Sequence, residues 1–550
     1  MKQKKLPYGL SDFRRVLQED WYYIDKTKFI EKLEDEQSFL YFLRPRRFGK
    51  SLTISMLEYY YDVQYKNEFK SIFKTTYIAK NPTPLKNSFY VMRFDFSAVD
   101  TTDYESSFRN HIHFKIDSFC SKYDIDLIDI RNPIDRLEKL LDFSSKKNLP
   151  IYILIDEYDN FVTKLLVSDM NTYKNIVSSK SAIYKEFFTM LKYGTTSSIK
   201  KMFITGVSPL ALYDVTSGSN IADNLSLNEN LNDMVGVTKN ELIEMIEFYK
   251  LENKKERIIS ICDQWYNCYK FNEDIEHTIY NSDMILYYLK SIIQYSKEPR
   301  DLIDVNVRTD YTKLRYLVYT NKKLNGNFEM LNNLILGKQV TTTKIKDSFS
   351  AFELSNEDNF KSFMFSLGFM TLEKNLFQLN LKIPNQTIKK LLSEFIHYAY
   401  TDFNDYNIST EKINEKLAQL AINKNLEVFH YIANVIKESS SIRDFIDGEN
   451  FIKAYILAYL NLNNFYQLKS ELESNKGYID ILLEPVKEEV PYGVMIELKY
   501  IKRSEFSKKL LENKVEDAAK QLRQYDMGED FIKIVLVFKG WEMVYCEEVA

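Results

Sequence analysis

The sequence predicts an α/β protein with an N-terminal parallel sheet and covering helices, a helical middle region and a small C-terminal α/β domain. Three observations predict this class: strand-like and helix-like segments alternate up to residue 238, helical spacing dominates from 239 to 438, and strands return after residue 439. At 550 residues the chain is too long for one hydrophobic core. We therefore expect three domains, at residues 1–238, 239–438 and 439–550.

Four apolar runs are the strand candidates of the N-terminal domain. They are "SFLYFL" (38–43), "SFYVMRFDFS" (88–97), "LPIYILIDEYDNF" (149–161) and "IKKMFITGVSPLAL" (199–212). Helical spacing begins at Ser51, in "SLTISMLEYYYDV", and returns between the second and third runs. Strand and helix in alternation favour a parallel sheet.

Composition and charge exclude several classes of protein. The formal net charge is −4 with acids and bases interspersed, unlike a protein that coats nucleic acid along its whole length. The four cysteines form no CxxC pair and the five histidines are scattered, so we expect neither a disulfide framework nor a transition-metal site. Without a signal-peptide pattern or an apolar run of membrane-spanning length, the chain is predicted to be cytoplasmic, with no membrane partner.

The segment "FLRPRRFGKSLT" (42–53) carries the end of a phosphate-binding loop. Such loops present backbone N–H groups and a helix N-terminus to an anion, with a lysine on the terminal phosphates and a hydroxyl on magnesium. Lys50 and Ser51 fit the last two roles, and Gly49 allows close approach of the backbone. Arg44, however, stands where the first glycine is expected, so a chance Gly-Lys-Ser in a basic turn is the alternative. The candidate nucleotide-binding residues are Arg47, Phe48, Gly49, Lys50, Ser51 and Leu52.

The third strand candidate ends in two acids, Asp156 and Glu157. A carboxylate at this position next to a phosphate loop can hold magnesium together with Ser51, and the following glutamate can orient the attacking water. Thr205 and Ser208, at the end of the fourth strand, are weaker candidates for sensing the terminal phosphate. An acidic turn that merely ends a strand is the alternative interpretation.

After residue 439 the sequence predicts a helix ("GENFIKAYILAYLNL"), three strands, an amphipathic helix near 504–526 and a last strand ("DFIKIVLVFKG"). Asp480 lies in the second of the first three strands, and Glu497 and Lys499 lie in the third. Residues at i and i+2 share one face of a strand, so Glu497 and Lys499 are predicted to be neighbours. Asp480 and Glu497 could hold magnesium, with Lys499 as a catalytic lysine. An ordinary hairpin with a Glu–Lys pair is the alternative.

The N-terminal motifs resemble those of the AAA-ATPase-like proteins. The resemblance runs from about residue 6 to 290 through "PYGLSDFRRVLQEDWYYIDKTKFI", "RPRRFGKS", "LIDEYD", "FITGVSPLALYD" and "WYNCYKF". It implies that the N-terminal sheet is of the AAA (ASCE) type, that Arg44 is normal in this loop, and that Asp25, Lys26 and Thr27 lie near the nucleotide; a helix cap formed by Asp25 is the alternative. Cys268 stands where the family usually has glycine. Arg46 and Arg47 could contact phosphates, DNA or local acids.

The C-terminal order of elements, with Asp followed by Glu-x-Lys, resembles the PD-(D/E)XK nuclease superfamily and its restriction-endonuclease-like domain. Tyr478 replaces the arginine usual two residues before the first acid. Glu449 and Gln521 match further polar positions of the superfamily, although a helix-start glutamate and a solvated glutamine explain them as well. Glu473 is a further candidate, with a surface charge as the alternative.

Together these patterns predict an ATP- and Mg²⁺-dependent enzyme that hydrolyses ATP and cleaves nucleic acid, with DNA as the expected substrate. The predicted catalytic residues are Glu157, Asp480, Glu497 and Lys499, and the predicted magnesium ligands are Ser51, Asp156, Asp480 and Glu497. The rival hypothesis is a nucleotide-operated switch whose nuclease-like domain binds only DNA or a partner. Self-association is expected by resemblance, because AAA-type sites are often completed by a neighbour's arginine, with Arg308 as one candidate.

Overall fold

The computed structural model describes residues 4–179, 182–210, 222–308, 327–374, 378–401, 410–438, 448–463, 465–474, 477–486, 489–525, 527–528 and 530–549. These residues form two compact units. The first consists mainly of Met1–Asp310 and Thr342–Leu381, and the second mainly of Lys322–Thr341 and Lys382–Ala550. The three-domain division made from the sequence stays a prediction.

The described strands are numbered in chain order. They are β1 (Phe39–Leu43), β2 (Tyr90–Asp95), β3 (Ile151–Asp156), β4 (Ile199–Gly206), β5 (Asp223–Asn224), β6 (Val340–Thr342), β7 (Thr371–Lys374), β8 (Leu379–Lys382), β9 (Tyr466–Ser474), β10 (Gly477–Pro485), β11 (Gly493–Ile501), β12 (Phe531–Lys539) and β13 (Glu542–Glu548).

The helices are numbered in the same way. They are α1 (Phe13–Gln18), α2 (Phe29–Glu34), α3 (Lys50–Tyr61), α4 (Phe69–Ile72), α5 (Tyr77–Lys80), α6 (Tyr104–Lys122), α7 (Pro133–Lys146), α8 (Asn160–Ser168), α9 (Met170–Ser178), α10 (Ile183–Gly194), α11 (Lys239–Phe248), α12 (Lys255–Trp265), α13 (Ser282–Tyr295), α14 (Asn327–Ile335), α15 (Glu357–Ser366), α16 (Gln386–Thr401), α17 (Thr410–Asn423), α18 (Glu427–Glu438), α19 (Glu449–Leu460) and α20 (Lys508–Arg523).

The first unit contains a parallel sheet with strand order β2-β3-β4-β1-β5. Every residue of β3 is buried, as expected for a central parallel strand covered on both faces. Because all strands run the same way, β1, β3 and β4 end at one edge of the sheet, and Leu43 of β1 pairs with Gly206 of β4. This edge positions the first candidate site.

The second unit contains a five-stranded sheet of order β13-β12-β11-β10-β9. β10 is antiparallel to β9 and β11, whereas β11 and β12 are parallel. The predicted order of helix, three strands, helix and strand is present, from α19 to β12, and β13 adds an antiparallel edge strand that the sequence analysis did not include. α20 packs on the sheet through Ala518, Ala519 and Leu522.

The middle region is mostly helical, as predicted, but it also contains the short strands β6, β7 and β8. Their three or four residues each are too few to show the two-residue periodicity that identifies a strand in a sequence. Among the described residues, no helix is both long enough and apolar enough to cross a membrane.

Candidate functional site

The phosphate loop occupies residues 44–49, between the end of β1 and the start of α3. Gly49 precedes the helix with φ of 102°, a left-handed conformation that suits glycine. Arg47 adopts φ of 66°, which is uncommon for a residue with a side chain. Ser51 and Leu52 lie half-buried in the first turn of α3. The loop therefore delivers the chain to a helix N-terminus in the way that anion-binding loops do.

The Lys50 side chain folds back onto its own loop. Its Nζ donates to the backbone oxygens of Arg44 and Pro45, at 2.9 Å each. Burial lowers the pKa of Lys50 to about 8, and the nearby carboxylates of Glu157 and Asp156 act in the opposite direction. A phosphate can replace the two carbonyl oxygens, because an anion is a stronger acceptor for an ammonium group than a neutral carbonyl.

Arg44, the residue in place of the loop's first glycine, points into the protein. Its guanidinium carbon lies 4.2 Å from the ring centre of Phe42 and 4.1 Å from that of Phe271. Nη1 donates to the backbone oxygens of Leu43 (2.9 Å) and Ser226 (2.6 Å), while Nε and Nη2 are buried without a hydrogen-bond partner. Burial lowers the pKa of Arg44 to about 9. Arg44 thus supports the loop from the protein interior, where it packs against Phe42 and Phe271.

Arg47 and Phe48 fasten the loop to the residues at the start of α13 and to a preceding turn. Arg47 Nη1 lies 2.9 Å from Asp283 Oδ2, so Arg47 makes a local ion pair. The Phe48 backbone oxygen accepts from Gly236 N (2.9 Å) and from Ser282 Oγ (3.1 Å). Because these groups engage the backbone oxygens of the loop, its conformation is fixed before any ligand binds.

Arg46 lies in a different environment from Arg44 and Arg47. Its charge is close enough to Asp159 and Lys50 to act on their pKa values, and its backbone oxygen accepts from Asn281 Nδ2 at 3.3 Å. Arg46 therefore lies on the side of the loop that faces the acids of the sheet edge.

The "WYNCYKF" segment (265–271) packs against the loop through aromatic rings. Phe48 makes edge contacts with Tyr269 and Phe271, with ring centres 5.0 and 5.7 Å apart. Cys268 adopts φ of 72°. This left-handed conformation explains why glycine suits the position, and it means that Cys268 carries backbone strain.

Asp156 ends β3 at the same sheet edge and is 1% exposed. Its pKa is raised to about 6, chiefly by burial and also by the negative charges of Asp95 and Glu157, against the Ser51 hydroxyl and Arg93, which lower it. Asp156 Oδ1 is buried without a hydrogen-bond partner. A buried carboxylate oxygen that lacks a donor, beside the Ser51 hydroxyl, fits a divalent cation.

Glu157 and Asp159 follow Asp156 and have separate tasks. Glu157 adopts φ of 50° and its side chain accepts a hydrogen bond from Asn160 Nδ2. Asp159 is buried, and its two oxygens accept from Val207 N (3.1 Å) and Ser208 N (2.7 Å). Asp159 therefore ties the end of β3 to the end of β4.

The end of β4 is packed tightly against this acidic turn. A Cβ atom on Gly206 would lie 2.5 Å from Asp159 Oδ1, so only glycine fits there. Thr205 Oγ1 is buried without a hydrogen-bond partner, whereas Ser208 Oγ accepts from Leu210 N at 3.3 Å. Of the two weaker candidates, Thr205 has the hydroxyl that still lacks a partner.

Asp25, Lys26 and Thr27 are engaged within the first unit. Asp25 accepts from Thr27 N (2.9 Å) and Tyr77 N (2.6 Å), and α2 begins at Phe29 rather than at Lys26. Lys26 Nζ contacts both carboxylate oxygens of Glu241, at 2.7 and 2.8 Å. Asp25 thus forms a turn before α2. This arrangement is similar to the alternative interpretation, in which Asp25 caps a helix.

Arg308, a candidate for completing a neighbour's site, lies 3.2 Å from Asp301 within its own chain. That distance joins Arg308 Nη2 and Asp301 Oδ2, so at least part of the guanidinium is engaged locally.

The second candidate site lies on β10 and β11 of the second unit. Lys499 Nζ contacts Glu497 Oε1 at 2.7 Å, as expected for residues two apart on one strand face. Asp480 Oδ2 accepts from Leu498 N at 2.9 Å, which places Asp480 beside this pair. The structure therefore brings together the three residues predicted from the sequence.

Glu497 is a buried acid with a raised pKa. It is 3% exposed, and its Oε2 is buried without a hydrogen-bond partner. Burial and the neighbouring Asp480 raise its pKa to about 7, against the influence of Lys499. Burial disfavours the charged form of Lys499, but Glu497, Asp480 and Glu449 outweigh this effect and raise its pKa.

Two residues of α19 complete the cluster. Lys453 is 3% exposed and its Nζ lies 2.8 Å from Asp480 Oδ1. Glu449, one turn earlier, has its pKa raised by partial desolvation and by Asp480, against the influence of Lys499 and Lys453. Glu449 therefore belongs electrostatically to the cluster, beyond being a residue at a helix start.

The remaining C-terminal candidates are exposed or lack a described side chain. Gln521 is exposed on α20, and Tyr478 is 60% exposed. Glu473 pairs with Tyr478 through the β9–β10 ladder, and its side chain lies outside the described residues.

The acids of the second site fit a hard cation better than a transition metal. Across the described residues, no three His, Cys, Asp or Glu side chains converge as a ready-made metal site. Mg²⁺ keeps several waters and needs only one or two carboxylates from the protein, so Asp480 and Glu497 with its unpartnered Oε2 suffice.

A parallel sheet with a phosphate loop after β1 and an acid at the end of β3 defines the P-loop nucleoside-triphosphatase class. Residues 7–216 match the family model described as Predicted AAA-ATPase, and residues 447–548 match the model of the PD-(D/E)XK nuclease superfamily. The chain therefore contains an AAA-ATPase-like domain and a nuclease-superfamily domain. Both resemblances seen in the sequence motifs are confirmed.

Similarity to individual proteins is narrower. A stretch of 58 residues is 43% identical to an uncharacterized protein in vnfD 5'region of Azotobacter chroococcum mcd 1, which is 10% of this chain and 11% of that relative. A Cdc6p structure from Pyrobaculum aerophilum aligns with 70% of this chain and 98% of its own, at 9% identity and a TM-score of 0.27. The ORC2 protein of Aeropyrum pernix, in ADPNP-ADP complexes, gives the same coverage at 10% identity and 0.33.

The sequence analysis missed four residues of the two sites. Asp95 and Arg93, on β2, flank Asp156, and Asp159 holds the β4 turn. Lys453 contacts Asp480. The sequence does contain a signal for three of these residues. Asp95 lies at the end of an apolar strand, and Asp159 is the last residue of "DEYD". Lys453 is the one charged residue in the apolar stretch "FIKAYILAYL".

Proposed function

We propose that this protein hydrolyses ATP in its first unit and cleaves phosphodiester bonds of nucleic acid, with DNA as the substrate, in its second. The observation that carries the proposal is the convergence of Lys50, Ser51, Asp156 and Glu157 at one sheet edge, matched by the cluster of Asp480, Glu497 and Lys499. Mg²⁺ is proposed as the cofactor of both sites, and the cytoplasm as the location.

In the first unit, Lys50 would leave the carbonyl oxygens of Arg44 and Pro45 to bind the β- and γ-phosphates. Ser51 and Asp156 would hold Mg²⁺, which supplies positive charge to the phosphoryl oxygens. Glu157, beside Asp156, would orient the water that attacks.

The other residues of the loop would act through the backbone. Arg47 has its guanidinium on Asp283, so Arg47, Phe48, Gly49 and Leu52 are proposed to offer backbone N–H groups to the phosphates. Arg46 is the arginine of this turn whose charge reaches the acids of the sheet edge, and it is the better candidate for stabilising phosphate charge.

In the second unit, Asp480 and Glu497 would hold Mg²⁺, which would lower the pKa of a bound water and polarise the scissile phosphate. Lys499, held by Glu497 at 2.7 Å, would position the attacking water and stabilise the developing negative charge. Glu449 would add to the negative potential that attracts the cation.

One observation favours the rival function, a nucleotide-operated switch with a binding module. Both oxygens of Asp480 already accept hydrogen bonds, from Lys453 Nζ and from Leu498 N. In this rival, a domain that only binds DNA or a partner, within a self-associated ATPase, would keep this arrangement permanently.

Cleavage of plasmid and linear DNA with Mg²⁺ separates the two functions. The wild type should cleave, and Asp480→Ala and Lys499→Ala should each lose roughly a hundredfold or more of the rate. Lys469→Ala is the matched control, because Lys469 forms a comparable pair with Glu484 (2.7 Å) away from the cluster. Equal cleavage by wild type and Asp480→Ala would leave the switch as the better account.

The proposed ATP hydrolysis is measured separately, as release of phosphate that requires both ATP and Mg²⁺. Its rate with and without DNA, and the rate of cleavage with and without ATP, test the proposed coupling. Two activities that are each indifferent to the other's substrate would contradict coupling while leaving both activities in place.

A further inference from the structure

Lys453 is an unusual residue for its position in α19. The eight residues from Lys453 to Leu460 are all buried, and Lys453 is the one that carries a formal charge. A buried ammonium group is costly unless it is paired, so its side chain has a defined electrostatic partner.

One partner of Lys453 is a proposed metal ligand. Lys453 Nζ lies 2.8 Å from Asp480 Oδ1, and Leu498 N donates to Asp480 Oδ2 at 2.9 Å. Both oxygens of Asp480 are therefore engaged by the chain itself. Glu497 differs, because Lys499 engages its Oε1 while its Oε2 is buried and unpartnered.

The formal charges of the cluster explain why a lysine is needed there. Three carboxylates (Glu449, Asp480 and Glu497) lie near two ammonium groups (Lys453 and Lys499), so these five groups together carry one formal negative charge. Without a cation in the site, Lys453 offsets the repulsion between Asp480 and the other two acids. A divalent cation bound to Asp480 and Glu497 would offset the same repulsion between the acids.

We propose that Lys453 is an internal stand-in for the divalent cation, one that holds Asp480 in the metal-free protein and has to leave Asp480 Oδ1 for the cation to bind. Lys453 is thus a positioning residue that sets the metal affinity of the site. The inference rests on the proposed function, which makes Asp480 a ligand.

A competition of this kind has a signature that a purely structural lysine lacks. Removing a lysine whose charge lies away from the site weakens the binding of a cation or leaves it unchanged. Removing a competitor strengthens cation binding, although the metal-free protein becomes less stable because Asp480 loses its partner.

The experiment is a titration of nucleotide-free protein with Mn²⁺, with unbound Mn²⁺ counted by electron paramagnetic resonance. Lys453→Met should bind Mn²⁺ about tenfold more tightly than the wild type, as expected if Asp480 Oδ1 is free of Lys453 in roughly a tenth of the wild-type molecules. Lys453→Arg, which keeps the charge, should stay close to the wild type. Asp480→Asn should lose the binding, which assigns the counted ion to this site.

Lys469→Met is the matched control. Lys469 pairs with Glu484 at 2.7 Å across β9 and β10, outside the cluster, and its removal should leave the Mn²⁺ affinity unchanged. If Lys453→Met does not fold without metal, Lys453→Gln replaces it, and the rise in melting temperature on adding Mn²⁺ should exceed that of the wild type.

The outcomes separate this inference from the proposed function. Unchanged or weaker Mn²⁺ binding in Lys453→Met, or no binding in either protein, overturns the role of Lys453 even where cleavage by the wild type depends on Asp480. Tighter binding in Lys453→Met, with no cleavage by the wild type, upholds the competition and refutes the nuclease.

Discussion

The two candidate sites place similar side chains on different kinds of backbone. Around the phosphate loop, Arg47, Glu157 and Cys268 all adopt positive φ, at 66°, 50° and 72°. In the second unit, Asp480, Glu497 and Lys499 stand on regular strands. The first site is held by strained turns and the second by paired charges, so the two should respond to different perturbations.

The lysines make the same contrast. Lys50 rests on two neutral carbonyl oxygens, whereas Lys453 and Lys499 rest on carboxylates. A carboxylate attracts an ammonium group through a full negative charge, whereas a carbonyl oxygen attracts it only through a partial charge. The first site is therefore ready to exchange its internal partners for phosphate, while the second has to give up an ion pair.

The largest expected effect comes from Lys50→Ala. Loss of the ammonium group from the phosphates should lower ATP turnover by roughly 10²–10³-fold, measured as phosphate release. Lys200→Ala, an exposed lysine on β4, is the control and should keep the wild-type rate. Mn²⁺ binding at the second site should not change; ATP turnover above a tenth of wild type would contradict the assignment of Lys50.

Asp159→Ala tests how much the first site depends on its buried turn. Two backbone amides would lose their acceptor, so the first unit should lose roughly 3 kcal/mol of stability to urea. Asp169→Ala is the matched control, because Asp169 also accepts from two backbone amides (Asn171 and Thr172) but is exposed. Its cost should be about 1 kcal/mol; equal costs would show that burial of the turn matters little.

The pH dependence of stability sharpens the comparison, because each site contains an acid whose pKa is raised by about two units or more. Asp156 is raised from 3.8 to about 6 and Glu497 from 4.5 to about 7. Asp156 and Glu497 are therefore protonated to a greater extent in the native protein than in the unfolded chain between about pH 4 and 7. Without metal or nucleotide, the contribution of each of these two acids to stability should fall as the pH rises through this window, by on the order of 3 kcal/mol for each acid.

The substitutions Asp156→Asn and Glu497→Gln isolate the contribution of each acid. Each should make stability fall less, between pH 5 and pH 8 in urea unfolding, than it does in the wild type. A variant whose stability changes between these two pH values as much as that of the wild type would contradict the raised pKa of the acid it lacks.

The smallest effect is expected from Cys268→Gly. Glycine adopts φ of 72° without strain, so relief of strain should exceed the entropy cost and stabilise the first unit by roughly 0.5–1 kcal/mol. Ser296→Gly, at φ of 57° after α13, is the control for the same relief away from the loop. A loss of stability in Cys268→Gly would mean that the Cys268 side chain contributes more than its backbone costs.

Much of both sites was predictable because it follows from local pattern. Glu497 and Lys499 share a face through strand periodicity, and Lys50, Ser51 and Asp156 follow from strand ends next to a loop motif. Asp159 and Lys453 were not predictable, since their roles depend on Val207, Ser208 and Asp480, which are distant in sequence. The three short strands of the middle region failed for a simpler reason: they are too short to show a period.

Arg44 has a consequence for how such proteins are recognised in genomes. Its guanidinium fills a slot between Phe42 and Phe271, so the first turn of the loop is shaped by aromatic packing instead of by the freedom of a glycine. A genome search keyed to glycine spacing overlooks chains built in this way. A search for an arginine at position 44 together with aromatic residues at the positions of Phe42 and Phe271 would find them. These three positions should change together during evolution.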